Sequence, residues 1–263
     1  MSSSHADFLT DRPGADAFAN TGWLRLGPDP TLLAWATATC PPALQAVAGS
    51  PDPWRCGSTW FAGVDTLPND EAGAVPGGRP LPWQVLPLLP GPLHAAQVSV
   101  VRHGYPQPSE GETDAAFRYR LSRDAAHVDG LLPVGHTRRR MIREPHAWIL
   151  GLPLTEAGPD AAPLVVWEGS HNLMRAAFHT ALSPHPPAAW CDIDLTDAYH
   201  AARSAAFATC RRVELPASPG QALILHRLTL HGTARWTSTD TTDRVIAFFR
   251  PVLSQPEDWL ALP

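Results

Sequence analysis

In the second half of the chain, apolar residues come in short runs rather than at helical spacing. The runs His146 to Leu154, Pro163 to Trp167, Ala222 to His226 and Arg244 to Leu253 are separated by Gly, Pro, Asp or Thr clusters. That texture predicts an antiparallel sandwich or barrel. Ala95 to His103 (AAQVSVVRH) is a further strand of small and β-branched residues. Helical patterning is confined to a few places. Ala15 to Leu26 reads as a short helix followed by a strand, and Thr31 to Gly49 as a helix entered through Asp29-Pro30 and closed by glycine. Asp194 to Cys210, with its acidic first turn and Ala-rich body, is the one helix expected in the second half. Ser50 to Leu93 is dense in Pro and Gly yet holds Trp54, Trp60 and Trp83, so packed irregular cover is expected there. Gly104 to Ala126, polar and carrying Glu110, Glu112 and Asp114, reads as a long loop.

Composition narrows the class. The 263 residues suffice for one sizeable core and are expected to form one domain, with residues 1–94 as helical and irregular cover over a β core at 95–263. The 29 prolines argue against long helical bundles, because each removes a donor from the helical ladder. A net charge of −5 leaves no overall basic field, so nucleic acid is not an expected partner. All 20 basic residues are Arg, which warns against reading each one as chosen for function. Met1 to Thr10 lacks a signal-peptide pattern and no apolar run reaches membrane-spanning length, so a cytoplasmic protein without membrane association is expected. Cys40, Cys56, Cys191 and Cys210 form no CxxC pair and predict neither a structural zinc site nor a disulfide framework.

Candidate chemistry lies among the 12 histidines. On an extended segment, His127-Val128-Asp129 puts both polar side chains on one face. Alone this means little, since His5-Ala6-Asp7 repeats the pattern near the start. Further along, His231-Gly232-Thr233 is followed by Arg244, which opens an apolar strand. A guanidinium inside a barrel is an uncompensated charge unless an anion, best a carboxylate, meets it there. Two His and one carboxylate suit non-haem Fe(II), leaving positions open.

The segments His127-Val-Asp129, PLVVWEGSH (Pro163 to His171), His231-Gly-Thr233 and Arg244 resemble, in order and spacing, the Fe(II)- and 2-oxoglutarate-dependent dioxygenases of the phytanoyl-CoA dioxygenase family. The opening FANTGWLRL resembles that family's N-terminal element. The resemblance implies a double-stranded β-helix, the cupin-like jelly roll, mainly β with flanking helices. It implies that His127, Asp129 and His231 bind iron, and that Arg244 pairs with the far carboxylate of 2-oxoglutarate. The expected activity is hydroxylation of a small organic substrate with release of succinate and CO2. Ala126, Glu168 and Arg235-Trp236-Thr237 stand where the family usually has an aromatic, a Pro and Asn-x-Ser, which marks a diverged member. Asp129 argues against the halogenating relatives, in which a small residue replaces the carboxylate.

Other residues carry weaker expectations. Gln97 and Ser99 share a strand face that could contact 2-oxoglutarate, with an exposed edge as the alternative. His226 competes with His231 but is read as a core histidine, and His171 as structural. Arg250 lies on the face of Arg244 by parity, but Pro251 makes it read as a strand end at the surface. Trp148 reads as core, with a pocket wall as the alternative. The cluster Arg138-Arg139-Arg140 and Arg143 reads as a solvated loop, with recognition of an anionic substrate as the alternative. Rival classes are a catalytically inactive metal-binding jelly roll, a zinc hydrolase, for which Arg244 has no use, and a purely structural protein.

Overall fold

The computed structural model describes residues 14–261, so the start at residues 1–10, with its His5-Ala6-Asp7, lies outside the described residues. A short helix α1 (Ala15–Thr21) leads through Gly22 into strand β1 (Trp23–Leu26). Helix α2 (Pro30–Gly49) starts where Asp29 accepts the amides of Thr31 and Leu32, with Pro30 at a position that needs no donor. It ends in extended backbone at Ser50, with Gly49 as its last helical residue rather than a left-handed cap. There follow β2 (Trp60–Gly63), β3 (Gln97–Val101), α3 (Asp114–Ser122), β4 (Leu131–Val134), β5 (Arg139–Ile142), β6 (Trp148–Pro153), β7 (Leu164–Trp167) and α4 (Ser170–Leu182). The chain continues with α5 (Thr196–Thr209), β8 (Arg212–Leu215), β9 (Ala222–His226), β10 (His231–Thr233) and β11 (Arg244–Phe249).

Two antiparallel sheets face each other, as expected of a jelly roll. The larger has the order β1-β9-β6-β11-β3-β2 and the smaller β10-β7-β8, while β4 and β5 form a separate hairpin. Strand alternation sorts the side chains. Ile149, Leu223, Leu225 and Phe248 of the large sheet meet Leu164, Val166 and Leu215 of the small one in an inner layer. Their neighbours Val98, Val100, Leu150, Leu152, Val245, Ala247 and Phe249 point the other way, onto Leu32, Trp35 and Ala36 of α2. Val165 and Trp167, on the outer face of the small sheet, are buried by Met174 and Phe178 of α4 and Tyr199 and Ala202 of α5. The register also sets the inward set on adjacent strands: Gln97 opposite Phe248, Ser99 opposite Ile246, and Val101 opposite Arg244.

Several elements depart from the sequence reading. The irregular stretch 50–93 contributes β2, whose Trp60 pairs with Val101 at the edge of the large sheet. The loop 104–126 contains α3, capped by Thr113 accepting from the Ala116 amide. Helix α4 makes a second helix in the C-terminal half, with Met174, Phe178 and Leu182 as its buried stripe. The arginine cluster lies in the β4–β5 hairpin rather than in an open loop. Among the described residues no helix is long and apolar enough to cross a membrane.

Candidate metal centre

The backbones of His127 and His231 are a cross-strand pair: His127 N donates to His231 O at 2.8 Å, and His231 N to His127 O at 3.0 Å. Residues a hundred positions apart thus stand side by side, with ring centroids 4.7 Å apart. The residue after His231 makes this approach possible. A Cβ on Gly232 would lie 2.2 Å from the carbonyl oxygen of Asp124 and 3.1 Å from Ala126 Cα. Asp124 and Ala125 both have positive φ, 50° and 53°, and this costly turn swings the chain from α3 into the His127 segment. The Asp124 carboxylate is clamped by Arg212 at 2.7 and 2.9 Å. Nδ1 of His231 engages Thr229 O at 2.8 Å and Nδ1 of His127 engages Ala125 O at 3.2 Å. In the tautomer whose Nδ1–H donates to these carbonyls, each Nε2 is free to ligate a metal beside Asp129. Asp129 Oδ1 lies 3.3 Å from His127 Nε2 and 3.7 Å from His231 Nε2. The three ligand atoms fall within 4.8 Å of one another, the one cluster of this kind among the described residues.

Electrostatics suit a cation. Burial, the largest influence on Asp129, raises its pKa, but the His127 hydrogen bond and the charges of His231, His127 and Arg250 outweigh it and hold the carboxyl well below its usual range. Burial pushes His231 down to about 4, which keeps its imidazole neutral at pH 7. Packing around His127 would lower its pKa, yet the hydrogen bond and charge of Asp129 win and raise it. The Asp129 carboxylate, which raises the proton affinity of His127, and the two imidazoles offer a divalent ion three lone pairs. The donor set is that of non-haem Fe(II) sites. The cavity beside it, about 80 Å³, is walled by Ile149, Leu164, Leu225 and Phe248 and bordered by Gln97, Ser99, Thr233 and Arg250.

Residues 97–245, more than half of the chain, match the phytanoyl-CoA dioxygenase (PhyH) family. The chain belongs to the phytanoyl-CoA dioxygenase family. The PhyH match runs from the head of β3 into β11, so it takes in Gln97, His127, Asp129, His231 and Arg244 and stops short of Arg250. No curated protein matches. Among solved structures, the chain is similar to SnoK, a non-heme alpha ketoglutarate dependent carbocyclase from nogalamycin biosynthesis (15% identity, 95% of this chain and 83% of that one, TM-score 0.46). It is also similar to EctD from S. alaskensis with bound Fe (14%, 94% and 79%, 0.46) and to HygX from Streptomyces hygroscopicus with nickel, 2-oxoglutarate and hygromycin B bound (14%, 91% and 86%, 0.42).

The remaining candidates of this PhyH chain separate by face. Arg244 points inward opposite Val101, 8% exposed, with its Nε buried and without a hydrogen-bond partner. Burial lowers its pKa to about 10, opposed by the charge of Tyr105. It does not border the triad cavity; it flanks Val101 on the side opposite Trp60, which does. Arg250 corrects the surface reading. The chain stays attached beyond Pro251, through Ala147 N to Pro251 O, so parity carries Arg250 inward to donate to Asp129 Oδ2 at 3.1 Å and to Gln97 Oε1. Ser99 accepts from Trp60 Nε1. His226 is buried against His171, away from the triad, and His171 reaches Ala19 O through Nε2. Trp148 packs edge-on to Trp83, leaving its neighbour Ile149 to line the cavity. Arg140 lies over Tyr199 and Arg143 bonds Cys191 O, and neither borders the cavity. Sequence reasoning missed Arg250 and Trp60. The signal for Arg250 was its parity with Arg244, set aside because of Pro251.

Proposed function

We propose that this PhyH protein is an Fe(II)- and 2-oxoglutarate-dependent oxygenase that hydroxylates a small organic substrate, consuming 2-oxoglutarate and O2 and releasing succinate and CO2. One observation carries the reading: His127, Asp129 and His231 converge on one point of the inner face that also buries Arg244, whose Nε has no hydrogen-bond partner among the side chains around it. His127 Nε2, His231 Nε2 and Asp129 Oδ1 would hold the iron. Bound there with 2-oxoglutarate and O2, the metal supplies the oxidising power to replace an unactivated C–H by C–OH.

The protein's part is to bind, orient and keep dry. Arg244, always charged and lacking a partner, offers a forked donor to the far carboxylate of the co-substrate. Ile149, Leu164, Leu225 and Phe248 exclude water from the cavity. A cleft of about 460 Å³, walled by Trp54, Tyr105 and Ala125, shares Trp60 with the cavity, and we place the substrate there. Arg120 in that cleft is committed to Glu112, so Arg55 is the cation that would meet an anionic substrate. The partners are therefore a small molecule and O2.

The test is uncoupled turnover: purified protein with Fe(II), 2-oxoglutarate and air, assayed for succinate. Succinate that depends on Fe(II) and O2 and disappears in His231→Ala is expected. Absence of succinate under all conditions, or equal formation by His231→Ala, would overturn the proposal.

A further inference from the structure

The two oxygens of Asp129 are divided between different partners. Oδ1 faces the imidazoles of His127 and His231, while Oδ2 accepts from Arg250 Nη1 at 3.1 Å. The other prong, Nη2, donates to Gln97 Oε1. The Arg250 and Asp129 side chains are 15% and 10% exposed, so solvent does little to screen the pair. We propose that Arg250 is a positioning residue for the metal carboxylate: it holds Asp129 to one-oxygen ligation, and Gln97 fixes the guanidinium that does so. The proposal deepens, and rests on, the reading of the triad as a metal centre.

The geometry gives each part a reason. A free carboxylate can rotate and chelate an ion with both oxygens; with Oδ2 taken, Asp129 has one oxygen to give, which leaves positions for other ligands. The planar fork engages Asp129 Oδ2 with one nitrogen and Gln97 Oε1 with the other, whereas Lys would keep the charge but have to reach both acceptors from a single nitrogen on a flexible stem. The scaffold behind the fork is firm. Gln97 heads β3, paired with Phe248 of β11, and the backbone after Arg250 is tied by Ala147 N to Pro251 O at 2.8 Å and Leu253 N to Pro145 O at 2.7 Å. Arg250 therefore sits where two strands and a tail are knotted together, not at a frayed end.

A second consequence separates this role from ordinary packing. With the Asp129 side chain removed, the Arg250 fork is left facing the two imidazoles with no carboxylate, and a small exogenous carboxylate of the same shape should take that place.

The test is Co(II) titration of the metal-free full-length protein, followed by the visible absorption of bound Co(II), with thermal unfolding recorded for every variant. Arg250→Met is expected to weaken Co(II) binding on the order of 10–100-fold, the usual effect of removing a partner of a metal ligand, and Arg250→Lys to recover part of it. Formate is expected to restore Co(II) binding to Asp129→Gly but not to Asp129→Gly/Arg250→Met. If the Met variants fail to unfold cooperatively, Arg250→Gln makes the same comparison. A dissociation constant for the Arg250 variants within twofold of wild type, or equal formate rescue with and without Arg250, overturns the proposal. Failure of the wild-type protein to bind Co(II) at all would instead overturn the metal reading beneath it.

Discussion

Gly232→Ala changes no ligand, yet it should damage the centre. The Gly232 backbone has ordinary φ, so the constraint is proximity: an added Cβ meets Asp124 O at 2.2 Å. Carbon and oxygen rest at roughly 3.3 Å or more, so the strands must part by about 1 Å. Three hydrogen bonds cross that gap: His127 N to His231 O at 2.8 Å, His231 N to His127 O at 3.0 Å and Thr233 N to Asp124 O at 2.9 Å. Stretched by about 1 Å they are no longer hydrogen bonds, and at about 1 kcal/mol each the loss is about 3 kcal/mol. For a chain of this size that corresponds to a melting temperature lower by about 6–12 °C. The same displacement separates His127 from His231, so Co(II) affinity should fall at least tenfold. Differential scanning calorimetry and Co(II) titration measure both, with Gly27→Ala, whose Cβ would meet nothing, as the neutral control. A Gly232→Ala protein with wild-type melting temperature and Co(II) affinity would refute the argument.

Three further outcomes are expected. Arg227, 1% exposed, donates to the carbonyls of Ala147, Asp258, Trp259 and Ala261; after subtracting the cost of burying the guanidinium, Arg227→Met should lose about 3 kcal/mol and expose the 256–260 turn to limited proteolysis, whereas unchanged urea midpoint and cleavage would contradict this role. Burial holds His146 down to about 4 and His226 well below its usual value, so below about 6.5 the unfolded chain takes up protons that the folded chain refuses. Stability should therefore fall as pH drops from about 7 toward 4, with His146 alone accounting for about 2 kcal/mol by pH 5 and His146→Phe flattening the slope; a flat profile between pH 7 and 5 in wild type would count against it. Arg244→Met removes a buried charge that has no partner, so the ligand-free variant should be as stable as wild type or more so while losing 2-oxoglutarate binding by calorimetry; a large drop in stability would mean that Arg244 serves the fold.

What could be read from the sequence followed from strand parity. Alternation along AAQVSVVRH put Gln97 and Ser99 on one strand face, which the pairing of β3 with β11 turns inward beside Arg244, and the β-rich class came from short apolar runs between turn residues. Other features depended on tertiary context. Trp60–Gly63 is too short and too surrounded by Pro and Gly to announce a strand, and becomes one by pairing with β3. The stripe Met174, Phe178 and Leu182 carries helical spacing, but reading His171 simply as structural left the helix that begins at Ser170 unnoticed. Arg250 was masked by Pro251, whose missing N–H does not matter here because it is the carbonyl of Pro251 that pairs with Ala147. The arginine cluster showed its charge but not its register, and only the hairpin reveals Arg140 and Arg143 bound to Tyr199 and Cys191.

The central claim is that two imidazoles, one carboxylate and a remote guanidinium jointly take up a divalent iron and an organic diacid. Its most direct measurement is the anaerobic visible spectrum on adding Fe(II) and 2-oxoglutarate together. A weak charge-transfer band requiring both, lost in His231→Ala and displaced to much higher 2-oxoglutarate concentration in Arg244→Met, is the predicted result. A spectrum with no such band in the wild-type protein, or one indifferent to both substitutions, would contradict it.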